Sequence, residues 1–124
     1  MPPRAPRILV VENEPDVREL VTDSLQSAGY SCSSASTIEE TLVIAGRYSP
    51  SIALLDVGLQ RGENGLDLAR RLREAHKDLA VILMTGLKRS VVTAEAVGSG
   101  VLDCLFKPFT RDDLLWTVKH GLKW

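Results

Sequence analysis

RILVVE (7–12), followed after Asn13 and Glu14 by PDVRELVTDSLQSAGY (15–30), is the stretch that decides the fold. Ile8, Leu9, Val10 and Val11 are contiguous apolar residues rather than alternating ones, which is how a strand reads when helices cover both faces of a parallel sheet. The next segment changes period. Val17, Leu20, Val21, Ser24, Leu25 and Ala28 predict one apolar helix stripe, with Pro15 in a first turn that needs no N–H and Gly29 as the stop.

The same alternation runs outward along the chain. IALLD (52–56), AVILMT (80–85) and VLDCLF (101–106) read as further buried strands, and SCSSAS (31–36) as a faint one placed mainly by its position. Between them, helices are expected over 15–28, 37–47, 65–76 (GLDLARRLREAH), 90–98 and 110–121. Thr37 with Glu40 reads as a capping box, and Thr110 with Asp113 as a weaker version of one. Right-handed crossovers leave few topologies for five strands and five helices. The expected fold is α/β, a doubly wound five-stranded parallel sheet in the flavodoxin-like order 2-1-3-4-5 with helices on both faces. In such sheets a ligand lies outside the carboxyl ends of the strands, at the point where the strand order reverses. That singles out Glu12, Asn13, Asp56, Thr85 and Lys107.

Composition narrows the function. The 124 residues suit one domain, 1–124, with 1–6 (three prolines) as an expected flexible tail, no interior linker and no output domain after Trp124. Fifteen basic and sixteen acidic residues give a net charge of −1, so no global field favours a polyanion and nucleic acid is not an expected partner. No apolar run approaches the roughly 20 residues that span a bilayer, and no signal-type region follows the N-terminal basic stretch, so a cytoplasmic location without membrane contact is expected. Cys32 and Cys104 form no CxxC or Cys/His cluster and read as plain buried thiols. His76 and His120 read as solvated residues near helix ends.

The strand-end residues belong together chemically. A carboxylate such as Asp56 can accept a phosphoryl group, but the incoming group is an anion approaching an anion. A magnesium ion held by carboxylates and a carbonyl would offset that repulsion, Lys107 would add a fixed positive charge, and the Thr85 hydroxyl would donate to a phosphoryl oxygen. Such transfer is mostly positioning and charge neutralisation.

VVENEP (10–15), LLDVGL (54–59), MTG (84–86) and LFKPF (105–109) resemble the four signature blocks of response-regulator receiver domains, in the family's order and over essentially the whole chain. The resemblance implies Asp56 as phosphoacceptor, Thr85 and Lys107 as the pair contacting the phosphoryl group, and Glu12, Asn13, Asp56 and the Gly58 carbonyl around Mg2+. It also implies a cis Lys107-Pro108 bond. DVGLQRGENGLDLARRLRE (56–74) further resembles receivers associated with hybrid sensor kinases; a single-domain regulator is the other subtype. The implied partners are a histidine kinase or phosphotransfer protein, and a downstream protein met through the face made by 90–98, 101–106 and 110–121, with a homodimer possible on the same grounds. The chain is then no enzyme in the turnover sense, with at most slow self-dephosphorylation.

Two positions depart from the family pattern. Asn13 stands where receivers usually carry a second acid, which forfeits on the order of a few kcal/mol of attraction for a cation about 4 Å away at an intermediate dielectric. Glu12, longer than Asp, is expected to reach inward and compensate, whereas Glu14 is expected to face solvent. Cys104 stands where an aromatic residue usually swings inward, and it is expected to pack beside the helix at 90–98. Signal readout is then expected through the segment 86–90. These departures keep open a pseudo-receiver, an interaction module that works without phosphorylation. A flavodoxin-like cofactor binder lacks a GxGxxG motif and is weaker. In the last helix Leu114, Val118 and Leu122 are the expected core stripe, with Leu115, Trp116 and Lys119 outward and Trp116 marking a potential partner surface.

Overall fold

A computed structural model describes residues 5–58, 65–86 and 101–123. Its elements in chain order are β1 (Arg7–Val11), α1 (Pro15–Ser27), β2 (Ser31–Ala35), α2 (Ile38–Tyr48), β3 (Ile52–Asp56), α3 (Gly65–Ala75), β4 (Ala80–Thr85), β5 (Asp103–Phe106) and α4 (Arg111–Gly121). The five strands form one parallel sheet in the order β2-β1-β3-β4-β5. The order expected from the sequence is therefore the observed one. The expected helix at 90–98 and the readout segment at 87–90 lie outside the described residues.

Alternate residues of each central strand serve opposite cores, which is why these strands are apolar throughout. Ile8, Val10, Ile52, Leu54, Ile82 and Met84 face Val21 and Leu25 of α1 and Leu114 and Val118 of α4. Leu9, Val11, Ala53, Leu55, Val81 and Leu83 face the other way, toward Ala45 of α2 and Leu66, Leu68, Ala69 and Leu72 of α3. β2, with its run of serines, is only half-buried at the sheet edge, which explains its faint sequence signal.

Local chemistry sets the boundaries. α1 opens on Pro15 and stops before Gly29, whose φ of 96° suits a residue without Cβ. Its buried stripe is narrower than expected: Leu20 is 65% exposed and Ala28, at the C-cap, is exposed as well. Leu20 sits about 100° around the helix from Val21, beyond the edge of the face that meets the sheet. The two N-caps also exchange rank. Thr110 and Asp113 bond reciprocally, at 3.1 and 3.0 Å, whereas Thr37 accepts from the Glu40 N–H at 3.1 Å while the Glu40 carboxylate turns to the hydroxyls of Ser36 and Thr37. In α4 Leu114 and Val118 are buried and Trp116 is 59% exposed, its ring stacked on His120 at 3.8 Å. Thr117 and Gly121 are buried beside them.

Cys32 and Cys104 are half-buried on β2 and β5, the opposite edges of the sheet, too far apart to pair with each other. Among the described residues no helix is long and apolar enough to cross a membrane.

Candidate functional site at the carboxyl ends of the strands

β1 and β3 are neighbours at the sheet's switch point, so the chain immediately after each arrives at one place. Glu12 follows Val11 and stays tied to the sheet through its N–H, which donates to the Ala35 carbonyl at 3.1 Å. Its side chain is fully buried. Asp56 closes β3 at 8% exposure, and its Oδ1 accepts from the Gly58 N–H at 3.2 Å.

Lys107 joins the two acids from the far end of the sequence. The Lys107 N–H donates to the Thr85 carbonyl at 2.7 Å, which fixes the chain leaving β5 against the end of β4, and the Lys107-Pro108 bond is cis. The ammonium Nζ then lies 3.0 Å from Glu12 Oε2 and 3.7 Å from Asp56 Oδ1. Its closer partner is thus Glu12. The other Glu12 oxygen, Oε1, accepts from the Glu14 N–H at 3.3 Å. Burial pushes the Glu12 carboxyl above its ordinary value; the hydrogen bond from Lys107 pulls it back, and the charge of Asp56 adds to the rise.

Asn13 supplies the test of whether a cation fits here. Its Oδ1 is buried and accepts no hydrogen bond among the described residues. A buried amide oxygen without a donor is costly unless something positive meets it. Glu12, next to it in the chain, and Asp56, at the end of the neighbouring strand, supply carboxylates, and hard oxygens of these kinds suit magnesium. Glu14, the N-cap residue of α1, is exposed, as the sequence implied. Thr85 is buried at the end of β4, and Gly58 is exposed two residues beyond Asp56.

Two residues matter here that the sequence reading did not single out. Arg18, one turn into α1, donates from Nη1 to the Glu12 carbonyl at 2.8 Å, bringing a second positive charge to this strand end. Gly65 opens α3 against the backbone after Asp56: its N–H donates to the Val57 carbonyl at 3.0 Å, and a Cβ there would stand 2.4 Å from the Asp56 carbonyl oxygen. The position of Arg18, a helical turn after the strand-end acids, was the available signal for the first. The glycine at a helix start was the signal for the second. Cys104 packs with Val101 and Phe106 against the core that α2 and α3 share, at the β5 edge.

A parallel sheet in this order, with two acids and a lysine converging on its switch point, defines the class of flavodoxin-like α/β domains. The chain belongs to the response regulator receiver domain family, whose model matches residues 8–119. Among curated relatives it is 30% identical over 118 residues to the phosphate regulon transcriptional regulatory protein PhoB of Pseudomonas aeruginosa, covering 94% of this chain and 51% of that protein. It is 33% identical over 117 residues to the response regulator MprA of Mycobacterium leprae, covering 94% and 51%. The nitrogen assimilation regulatory protein NtrX of Azorhizobium caulinodans is 29% identical over 117 residues, 94% of this chain and 26% of that protein. The chain thus spans a quarter to a half of the length of these relatives. Among solved structures, the receiver domain of NtrX from Brucella abortus superposes with a TM-score of 0.88 at 29% identity, covering 94% of this chain and 98% of that one. A receiver domain protein from Methanospirillum hungatei shares the fold with a TM-score of 0.89, covering 96% and 94%. Receiver domains are signalling phosphoacceptors rather than turnover enzymes, and they typically bind Mg2+ at the phosphorylation site.

Proposed function

We propose that this chain is a phosphoryl-accepting switch of a two-component phosphorelay, with Asp56 as the acceptor. The observation that carries the reading is the convergence of Glu12, Asp56 and Lys107, with the ammonium 3.0 and 3.7 Å from the two carboxylates. The donor is a phosphohistidine on a histidine kinase or phosphotransfer protein. An Asp56 carboxylate oxygen forms a bond to phosphorus as the phosphorus–nitrogen bond of the donor breaks, and the leaving imidazole takes up a proton. Lys107 offsets the charge of the incoming group, and the Thr85 hydroxyl donates to one of its oxygens. Glu12, Asn13, Asp56 and the Gly58 carbonyl are the residues to hold Mg2+. When bound, the ion supplies positive charge that lets one anion approach another.

Hydrolysis of the acyl phosphate is at most slow. Output passes to a downstream protein, or to a second copy, through the face that carries β5, α4 and the exposed Trp116. The competing reading, a pseudo-receiver that works without phosphorylation, draws on the neutral Asn13 and on Lys107 being already engaged by Glu12. Beryllofluoride with magnesium separates them. Amide resonances around residues 56–58 shift in the native chain and not in Asp56→Ala if the switch reading holds. No Asp56-dependent shift at saturating magnesium leaves the pseudo-receiver.

A further inference from the structure

Helix α2 buries one side and leaves the other bare. Ile38, Leu42, Ile44 and Ala45 pack into the core it shares with α3, and Thr41 is buried. Glu39, Gly46 and Arg47 are exposed, and Val43, at the middle of the helix, is 53% exposed. Beside Val43 an open hollow is lined by Glu39, Glu40, Val43 and Ile44. A single exposed valine is ordinary on a protein surface. The charges around this one are not scattered. Glu39 precedes Val43 by four residues and Arg47 follows it by four, so the three lie along one helix ridge, with a charge about 6 Å to either side of the valine. Among the described residues neither Glu39 nor Arg47 forms an ion pair. Glu40, by contrast, is turned to the hydroxyls of Ser36 and Thr37. Gly46 has open space where a Cβ would stand, so no side chain blocks close approach on that flank.

We propose that this face of α2 docks a second copy of the chain, antiparallel, with a two-fold axis passing through Val43. Such an axis sets the residue four places before Val43 opposite the residue four places after it in the other copy. Glu39 then meets Arg47 of the second copy, and Arg47 meets its Glu39, while the two valines close on each other. A parallel arrangement would set Glu39 against Glu39 and Arg47 against Arg47, which repels. α2 packs on β2, at the edge of the sheet opposite β5, so the contact leaves the proposed output face open. It uses no residue of the strand-end site. One helix face falls well short of the roughly 800 Å² per partner of a standard interface, so the dimer is weak and dissociates on dilution.

Sedimentation velocity of the full chain, from about 10 μM to about 1 mM, tests this. The native chain is expected to shift toward a dimer as concentration rises. Glu39→Arg and Arg47→Glu each set like charges opposite one another at both ends of the contact, and each alone is expected to weaken association about tenfold or more. Mixed one to one, the two variants are complementary at both ends, and mixed dimers are expected to form at least as tightly as native ones. Val43→Asp puts two carboxylates at the axis and is expected to leave a monomer of unchanged circular dichroism. A native chain that stays monomeric at about 1 mM overturns the proposal and leaves this face to a different partner. A dimer that survives both charge reversals, or reversed variants that do not associate when mixed, also overturns it. So does a dimer lost in Trp116→Ala and kept in Val43→Asp, which would place the contact on the α4 face. Asp56→Ala is expected to dimerise as the native chain does, so the phosphoacceptor reading and this one fail separately.

Discussion

Gly65 and Gly46 make a matched pair of glycines with opposite expected behaviour. A Cβ at Gly65 would meet the Asp56 carbonyl oxygen at 2.4 Å and Val57 Cα at 2.9 Å, and both obstacles are backbone. Gly65→Ala must therefore move the turn after Asp56, and is expected to cost about 1–3 kcal/mol in urea unfolding. Gly46 lies within α2, exposed, with open space around its missing Cβ. Gly46→Ala is expected to stabilise by about 0.5–1 kcal/mol. Cys32 gives a prediction in pH. Burial raises its thiol from 9.0 to about 11, so the folded chain holds that proton more tightly than the unfolded one. Stability contributed by the protonated thiol is present below pH 9 and falls as pH rises from about 9 to 11. A Cys32→Ala chain is expected to show a shallower loss across that window in denaturant unfolding. At this level the sequence named Glu12, Asp56 and Lys107, which the fold brings together, while their pairing stayed hidden. Lys107 and Glu12 are 95 residues apart, and no local pattern says that the ammonium sits closer to Glu12 than to Asp56. The unsatisfied Asn13 oxygen is likewise a property of packing.

Helix ends were legible because their signals are local. Thr110 and Asp113 are spaced for a reciprocal cap, and α4 begins there. Thr110→Ala is expected to cost about 1 kcal/mol, measured by chemical denaturation, through loss of the bond to the Asp113 N–H. Side-chain competition was not legible: Glu40, in the better-looking motif, is drawn to the hydroxyls of Ser36 and Thr37. The end of α2 stores a small strain that composition does not announce. Ser49, its C-cap, has φ 51° and ψ 61°, a left-handed conformation that disfavours residues with a Cβ. Ser49→Gly is expected to raise the unfolding midpoint, with a gain of up to about 1 kcal/mol. The width of the buried stripe on α1 misled for a related reason. Periodicity places Leu20 on the apolar arc, but the sheet covers only part of that arc.

Topology was the most legible feature, because it follows from a few strong signals acting together. Contiguous apolar strands demand cover on both faces, and the handedness of crossovers then leaves little choice of order. The observed sheet puts β1 beside β3, which brings Glu12 and Asp56 together, and β4 beside β5, which delivers Lys107 to them. The proposed site is thereby assembled from the ends of β1, β3 and β5, with a buried core on each side of the sheet. The claim on which everything else depends is that Asp56 takes the phosphoryl group. Intact mass measurement after incubation with magnesium and a small acyl phosphate donor tests it most directly. One phosphoryl group on the native chain and none on Asp56→Ala is the expected result. No added mass at saturating magnesium, or the same added mass on Asp56→Ala, would contradict it.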